Sequence, residues 1–154
     1  KPDGSFDQVL ALESMFHFSS RTSFFSEVSR LLRPGGRFVF TDILGTHKSR
    51  GLAQERASYE AEISRSMAPW PDLWGDSICY EDMARANGLR LDFMQNISRQ
   101  TLPSYRCFLT DAHGGLAVET AIDRGVAAMR YLQEQGYLKV VLGVCEKPVA
   151  AGED

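Results

Sequence analysis

Apolar residues recur along this chain at two spacings, one typical of strands and one typical of helices. A steadily more apolar run from Phe6 to Leu12 predicts a strand that is buried on both faces. Apolar residues at helical spacing between Phe24 and Leu32 predict a helix with one apolar face. Ser19 or Ser20 has the side chain needed to cap its amino end. The chain therefore opens with a strand followed by an amphipathic helix.

A second strand is predicted directly after this helix. Pro34-Gly35-Gly36 is expected to stop the helix, because glycine and proline both disfavour helical backbone. Arg37 to Thr41 then form a strand around Phe38, Val39 and Phe40, and Asp42 follows at its carboxyl end. Strand, helix and strand together predict one parallel βαβ unit.

Residues 46–78 are more polar and are long for a plain connection. Long insertions in compact domains are often functional, so this segment is interpreted as a lid over the carboxyl ends of the strands. A short helix is predicted from Tyr80 to Asn87, with Gly88 as its left-handed cap.

The rest of the chain, from Leu89 on, predicts two strands and a helix. Alternating Leu89, Leu91 and Phe93 indicate a strand, and residues 98–115 are expected to form a loop. A helix is predicted over Ala117 to Gln135, and a strong last strand over Leu138 to Cys145. The order of elements predicts a three-layer α/β fold.

Composition and charge limit the classes of function. The chain has 154 residues, the size of one domain, and its net charge of −3 gives no basic surface for nucleic acid. No apolar run is long enough to span a bilayer, and no signal peptide is visible. Cys79, Cys107 and Cys145 show neither a disulfide nor a zinc spacing, so they are expected to be reduced thiols in the cytoplasm, with Cys145 as core filling.

Three segments, in order, resemble class I S-adenosylmethionine-dependent methyltransferases that act on small molecules. DGSFDQVLALES is similar to the turn and fourth strand of that family, and LLRPGGRFVFTDIL to its helix end, Gly-Gly turn and fifth strand. GYLKVVLGVCEKP resembles its terminal strand, which runs antiparallel between its neighbours. The resemblance covers nearly the whole chain.

The resemblance implies a Rossmann-like sheet of four strands and S-adenosylmethionine as the cofactor. The family's glycine-rich cofactor loop has no counterpart here, because Gly35-Gly36 precedes a strand instead of following one. Residues 1–154 are therefore expected to be the carboxyl-terminal part of a methyltransferase domain, with 46–78 as its lid. The parent protein is expected to methylate a small molecule at nitrogen, oxygen or carbon, whereas the fragment alone is expected to be inactive.

Two polar side chains lie where ligands bind in open α/β sheets, beyond the carboxyl ends of the strands. Glu13 and His17 are candidates to orient or deprotonate a methyl acceptor; the alternatives are a carboxylate bonded to nearby backbone and a packing histidine. In the resembling family, the positions of Ala11, Leu12 and Glu13 contact the cofactor. Asp42 either orients substrate or ends its strand and caps the next segment.

Five aromatic residues are candidates for the wall of the acceptor pocket, since they combine large area with a polar tip or an apolar face. The alternative for each is packing in the core or within the lid. The five are Phe16, Trp70, Trp74, Tyr80 and Tyr105.

Two other functions remain open. The chain could be a non-catalytic interaction module that forms a homodimer through an exposed sheet edge. A nicotinamide-dependent Rossmann enzyme fits less well, because the dinucleotide fingerprint is missing.

Overall fold

The computed structural model describes residues 1–52, 54–75, 78–111 and 121–149. The chain divides into two compact units. The first unit comprises Lys1–Asp42, Ser77–Gln95 and Val141–Asp154, and the second unit comprises Ile43–Asp76 and Asn96–Val140. Most of the segment predicted as a lid therefore belongs to the second unit, and its function as a lid stays a prediction.

Four strands, five α-helices and two short 3-10 helices, Met15–His17 and His47–Leu52, make up the regular structure of the described residues. The strands are β1 (Phe6–Ala11), β2 (Leu32–Gly45), β3 (Arg90–Asn96) and β4 (Leu138–Glu146). The helices are α1 (Arg21–Leu31), α2 (Arg56–Met67), α3 (Tyr80–Ala86), α4 (Ser98–Asp111) and α5 (Ala121–Glu134).

The strands form one mixed sheet in the order β1-β2-β4-β3. β1 and β2 are parallel, with Ala11 opposite Phe40. β4 is antiparallel to β2, because Gly35 bonds to Lys147 at one end of the pair and Thr46 bonds to Tyr137 at the other. The predicted α/β class, with four strands and an antiparallel last strand between its neighbours, is confirmed.

β1 differs from the prediction of a strand buried on both faces. It is the outermost strand of the sheet, and Leu10 is 62% exposed while Phe6 is 37% exposed. Its apolar sequence therefore reflects a surface that no other described part of this chain covers. The apolar pattern alone could not distinguish this edge strand from an interior one.

β2 is longer than the prediction of a strand from Arg37 to Thr41. α1 ends at Leu31, before the Pro-Gly-Gly motif, and the motif lies inside the strand as an irregularity in its pairing with β1. Gly36 is required there, because a Cβ would lie 2.9 Å from the carbonyl oxygen of Arg33. Lys147 completes the end of α1, since its ammonium donates to the carbonyls of Ser29 and Leu32 at 2.7 and 2.8 Å.

The loop predicted over residues 98–115 is wrong for its first part, which is helix α4. Asn96, the last residue of β3, turns the chain towards this helix, because its side-chain oxygen accepts from the backbone N–H of Ser98 at 2.9 Å. Pro103 lies inside the helix. It removes one backbone donor and favoured the prediction of a loop. The predicted helices at α1 and α3 are confirmed, with Ser20 as the cap of α1. The helix predicted up to Gln135 is confirmed from Ala121 on, as α5, while residues 112–120 of the predicted loop and helix lie outside the described residues.

Helices α2 and α5 approach each other closely in the second unit. A Cβ on Gly125 of α5 would overlap the side chain of Ser66 on α2. One turn away, Arg124 bonds to Glu62 at 2.9 Å. Glycine therefore sets the distance between these two helices.

Cys145 is fully buried and Cys79 is exposed, and both are free thiols. The prediction that Cys145 fills the core is confirmed, whereas the side chain of Cys107 lies outside the described residues. No helix in the described ranges is both long enough and apolar enough to cross a membrane.

Candidate functional site

Glu13, just beyond β1, is held in an unusual backbone conformation. Its φ of 50° lies in the left-handed region, which costs a non-glycine residue about 1–2 kcal/mol. Thr41 of β2 holds it by two hydrogen bonds: the Glu13 N–H donates to Thr41 Oγ1 at 2.8 Å, and that hydroxyl donates to Glu13 Oε1 at 3.0 Å. Strain of this kind clusters at functional sites.

The carboxylate of Glu13 nevertheless remains at the surface of the first unit. Its neighbour Leu12 is 54% exposed, while Ala11 is buried against the sheet. The structure therefore presents a fixed, exposed carboxylate where β1 ends. The sequence located this carboxylate but not Thr41, since a partner 28 residues away leaves no local pattern.

His17 ends a short 3-10 helix, Met15–His17, that follows β1. Its imidazole is exposed, and its ring centroid lies 4.6 Å from that of Phe16. Phe16 is buried. Of the two sequence candidates in this helix, His17 is thus accessible to a ligand, and Phe16 packs in the core.

Asp42 does not end its strand but lies within β2, where it is fully buried. Arg21 of α1 donates to both of its carboxylate oxygens, Nε to Oδ2 at 2.5 Å and Nη2 to Oδ1 at 3.2 Å. The hydroxyl of Tyr80 from α3 also donates to Oδ2. Burial raises the pKa of Tyr80, and the negative charge of Asp42 raises it further.

This buried cluster joins α1, β2 and α3. The ring of Tyr80 lies against Phe25 and Phe40, with centroid distances of 5.9 and 4.8 Å. Because the Tyr80 hydroxyl is bonded to Asp42 and its ring is packed in the core, its predicted contact with an acceptor stays a prediction. The sequence offered one signal that Arg21 has a negatively charged partner. Arg21 lies in the first turn of a helix, where a cation is unfavourable unless it is paired.

Trp70 and Trp74 are buried in the second unit. The guanidinium of Arg56 lies 4.7 Å from the centre of the Trp74 ring, and it donates to Ser49 Oγ at 3.0 Å. The indole N–H of Trp74 is buried and has no hydrogen-bond acceptor among the described residues. A buried donor of this kind costs about 1–3 kcal/mol when it stays unsatisfied.

Tyr105 is half-buried on α4, and its hydroxyl donates to the side-chain oxygen of Gln133 on α5 at 3.0 Å. The side-chain amide of Gln133 donates in turn to the carbonyl of Ser98 at 2.6 Å and to Thr101 Oγ1 at 2.9 Å. Tyr105 thus belongs to a polar network between two helices of the second unit.

Comparison with known proteins gives a consistent result. Residues 1–40 match a family model described as a methyltransferase domain. The 27-O-demethylrifamycin SV methyltransferase of Amycolatopsis mediterranei (strain S699) is 34% identical over 104 residues, which make up 68% of this chain and 36% of that protein. The chain spans about a third of the length of the curated relatives it matches.

Solved structures share the fold at lower sequence identity. A mycolic acid cyclopropane synthase complexed with SAH superposes with a TM-score of 0.76 at 18% identity, over 94% of this chain and 56% of that one. The geranyl diphosphate C-methyltransferase of Streptomyces coelicolor A3(2), in complex with Mg²⁺, geranyl diphosphate and S-adenosyl-L-homocysteine, gives 0.71 at 18% identity, over 95% and 49%.

Proposed function

Since this chain has the fold and the sequence signature of the class I S-adenosylmethionine-dependent methyltransferases, we propose that the protein transfers a methyl group from S-adenosylmethionine to a small molecule. The observation that carries this proposal is the strained, exposed Glu13 at the end of β1, fixed by Thr41. A preorganised carboxylate at the carboxyl end of a parallel strand is placed where open α/β sheets bind ligands.

The residues at this strand end fit the proposed cofactor. S-adenosylmethionine supplies a methyl group that is already activated by a positively charged sulfur. Glu13 offers an exposed negative charge that complements such a cation, and Leu12 offers exposed apolar surface. Leu12 and Glu13, together with the backbone of Ala11, are therefore the proposed contacts. Thr41 occupies both the backbone N–H and Oε1 of Glu13, which leaves Oε2 of the carboxylate as the proposed contact atom.

His17 is the proposed residue that orients the acceptor or removes its proton. Its ring is exposed, and a neutral imidazole can accept a proton through its unprotonated nitrogen. A base of this kind contributes about 10²–10⁴-fold to the rate when the acceptor must lose a proton.

One pair of measurements on the full-length protein tests both assignments. Glu13→Gln and Thr41→Val are expected to weaken cofactor binding about tenfold in calorimetry, since a hydrogen bond to a charged group contributes about 1.5–3 kcal/mol. His17→Ala is expected to slow methyl transfer while leaving cofactor affinity unchanged.

Two matched controls keep these results specific. Glu60→Gln removes an exposed carboxylate on α2, and His47→Ala removes an exposed imidazole in the second unit. Unchanged cofactor affinity in both Glu13→Gln and Thr41→Val would contradict the cofactor assignment, and an unchanged rate in His17→Ala would remove His17 from the mechanism.

Within the second unit, Trp70, Trp74 and Tyr105 stay the predicted residues of an acceptor pocket. The buried indole N–H of Trp74 supports an acceptor that carries an oxygen atom, because such an atom would satisfy this donor. The relatives are named for acceptors as different as 27-O-demethylrifamycin SV and geranyl diphosphate, so the methylated atom stays open among nitrogen, oxygen and carbon.

The cytoplasm is the proposed compartment, because Cys79 and Cys145 are free thiols.

A second candidate function is a non-catalytic interaction module that forms a homodimer. The exposed apolar residues of edge strand β1, above all Leu10, favour it.

The 154-residue chain is expected to bind S-adenosylmethionine weakly or not at all, because its sequence contains no glycine-rich cofactor loop. Micromolar binding by this chain would contradict that expectation.

A further inference from the structure

A cavity of about 460 Å³ opens in the second unit where β2 and β3 end and β4 begins. Thr46 and Asn96 line it at the strand ends, and Ser98 and Arg99 line it from the start of α4. Lys139, on β4, also faces this cavity. Its volume is in the range of sites that hold small molecules.

The charged side chains that line this cavity are both cations. Arg99 and Lys139 both line it, and no aspartate or glutamate of the described residues does. Neither cation has an ion-pair partner within the described part of the chain, in contrast to Arg65 and Arg130, which pair with Glu62 and Glu134. Two cations that face a polar cavity without a carboxylate create a positive potential there.

One wall of the cavity is fixed by hydrogen bonds. Gln133 lines it and is 5% exposed, and its amide holds Ser98 and Thr101 of α4 at 2.6 and 2.9 Å. Ser98 is held from the other side, because its hydroxyl accepts from the N–H of Val140 at 2.9 Å. A ligand would therefore meet a prearranged polar surface.

We propose that this cavity binds an oxyanion, a carboxylate or a phosphate group, through Arg99 and Lys139. Both side chains donate charge-assisted hydrogen bonds, and the guanidinium of Arg99 can hold two oxygens at once. The side-chain amide of Asn96 adds a neutral donor, whereas the hydroxyls of Thr46 and Ser98 already donate within the protein, to the carbonyl of Gly136 and to Asn96 Oδ1. The site lies entirely within the second unit and does not depend on the proposed methyl transfer.

The test is an amide-resonance titration of the ¹⁵N-labelled 154-residue chain at constant ionic strength. The probes are inorganic phosphate, succinate and, as an uncharged comparison, glycerol. Phosphate or succinate is expected to shift the amides of 98–100 and 136–139 in a saturable manner, while glycerol does not. The anion that binds more tightly identifies which of the two sources of oxyanion the cavity prefers.

Variants connect this binding to the two cations. Arg99→Gln/Lys139→Gln is expected to weaken binding at least about tenfold, because each charged hydrogen bond contributes about that factor or more. Arg50→Gln/Arg65→Gln removes the same charge elsewhere in the second unit and is expected to bind as the unaltered chain does.

Three results would overturn the proposal: no saturable shift with either anion, equal shifts with glycerol, or an equal loss in both double variants. If Arg99→Gln/Lys139→Gln does not fold, the single variants Arg99→Gln and Lys139→Gln serve instead. Each is expected to weaken anion binding, and unchanged affinity in both would contradict the assignment.

Discussion

The carboxylate of Asp42 shows how much a single residue contributes to the first unit. It is fully buried within β2 and accepts from a guanidinium and from a phenol at the same time. Ion pairs at this depth contribute little over apolar packing, but removing one partner leaves the other charge buried without compensation. Asp42 and Arg21 therefore tie α1 to the sheet only as a pair.

Asp42→Asn is expected to lower the free energy of unfolding by about 3 kcal/mol, because the guanidinium of Arg21 then stays buried without its counter-charge. Urea unfolding followed by circular dichroism measures this change. Asp7→Asn breaks an exposed pair with Arg33 and is expected to cost less than about 1 kcal/mol. Equal losses in the two variants would contradict the structural account of Asp42.

The raised pKa of Tyr80 predicts how stability depends on pH. In the unfolded chain this phenol ionises at its ordinary value of 10.0, whereas burial keeps it neutral in the folded state. The stability that it contributes is present below pH 10 and is lost as the pH rises above that value.

Urea unfolding between pH 8 and pH 11 measures this loss. Tyr80→Phe is expected to flatten the decline in unfolding free energy above pH 10, by at most about 1.4 kcal/mol per pH unit. If the free energy of unfolding declines equally in Tyr80→Phe and in the unaltered chain, the prediction for Tyr80 is wrong.

Among the elements, the pair α2 and α5 depends on a glycine at its closest approach. Gly125→Ala is expected to force the helices apart, because the new methyl group overlaps Ser66. A loss of about 1–3 kcal/mol is expected in thermal unfolding, although alanine is the better helix former.

Two further variants check that steric overlap is the cause. Ser66→Gly combined with Gly125→Ala is expected to recover part of the lost stability. Gly51→Ala adds a methyl group where nothing lies within 4 Å and is expected to change little. Stabilisation by Gly125→Ala alone would mean that the two helices are not limited by this contact.

Local sequence signals predicted the elements that have clear caps and clear periods. Ser20 caps α1 and Gly88 lies after α3 with a positive φ, as the sequence indicated. α4 was missed because Pro103, which lies inside it, favoured a loop, although Asn96 just before it is a residue that often precedes a helix. At the candidate site the sequence found Glu13 and His17 by their place after β1, but long-range partners such as Thr41 are visible only in three dimensions.

Across the sheet as a whole, the outermost strands carry exposed apolar residues. Leu10 and Phe6 are exposed on β1, and Phe93 and Met94 are exposed on β3. Unpaired strand edges with apolar side chains favour pairing with a second chain. The 154-residue chain is therefore expected to associate with itself at high concentration.

Light scattering at about 0.5 mM protein measures this association, and variants assign it to an edge. Leu10→Lys places a charge on β1 and is expected to shift the chain towards monomer. Met94→Lys makes the matched change on β3, and the variant that shifts further towards monomer identifies the edge that pairs. A monomer at this concentration in the unaltered chain would contradict the prediction.

The central place of β4 has a consequence for the order of events during translation. β4 leaves the ribosome after β2 and β3, yet it lies between them in the sheet. Until it arrives, a nascent chain holds β3 without any neighbour and β2 with one open side. Such late, long-range pairing slows folding and exposes apolar strands to aggregation. A ribosome that stalls before Leu138 would therefore release a product that chaperones must hold or proteases must remove.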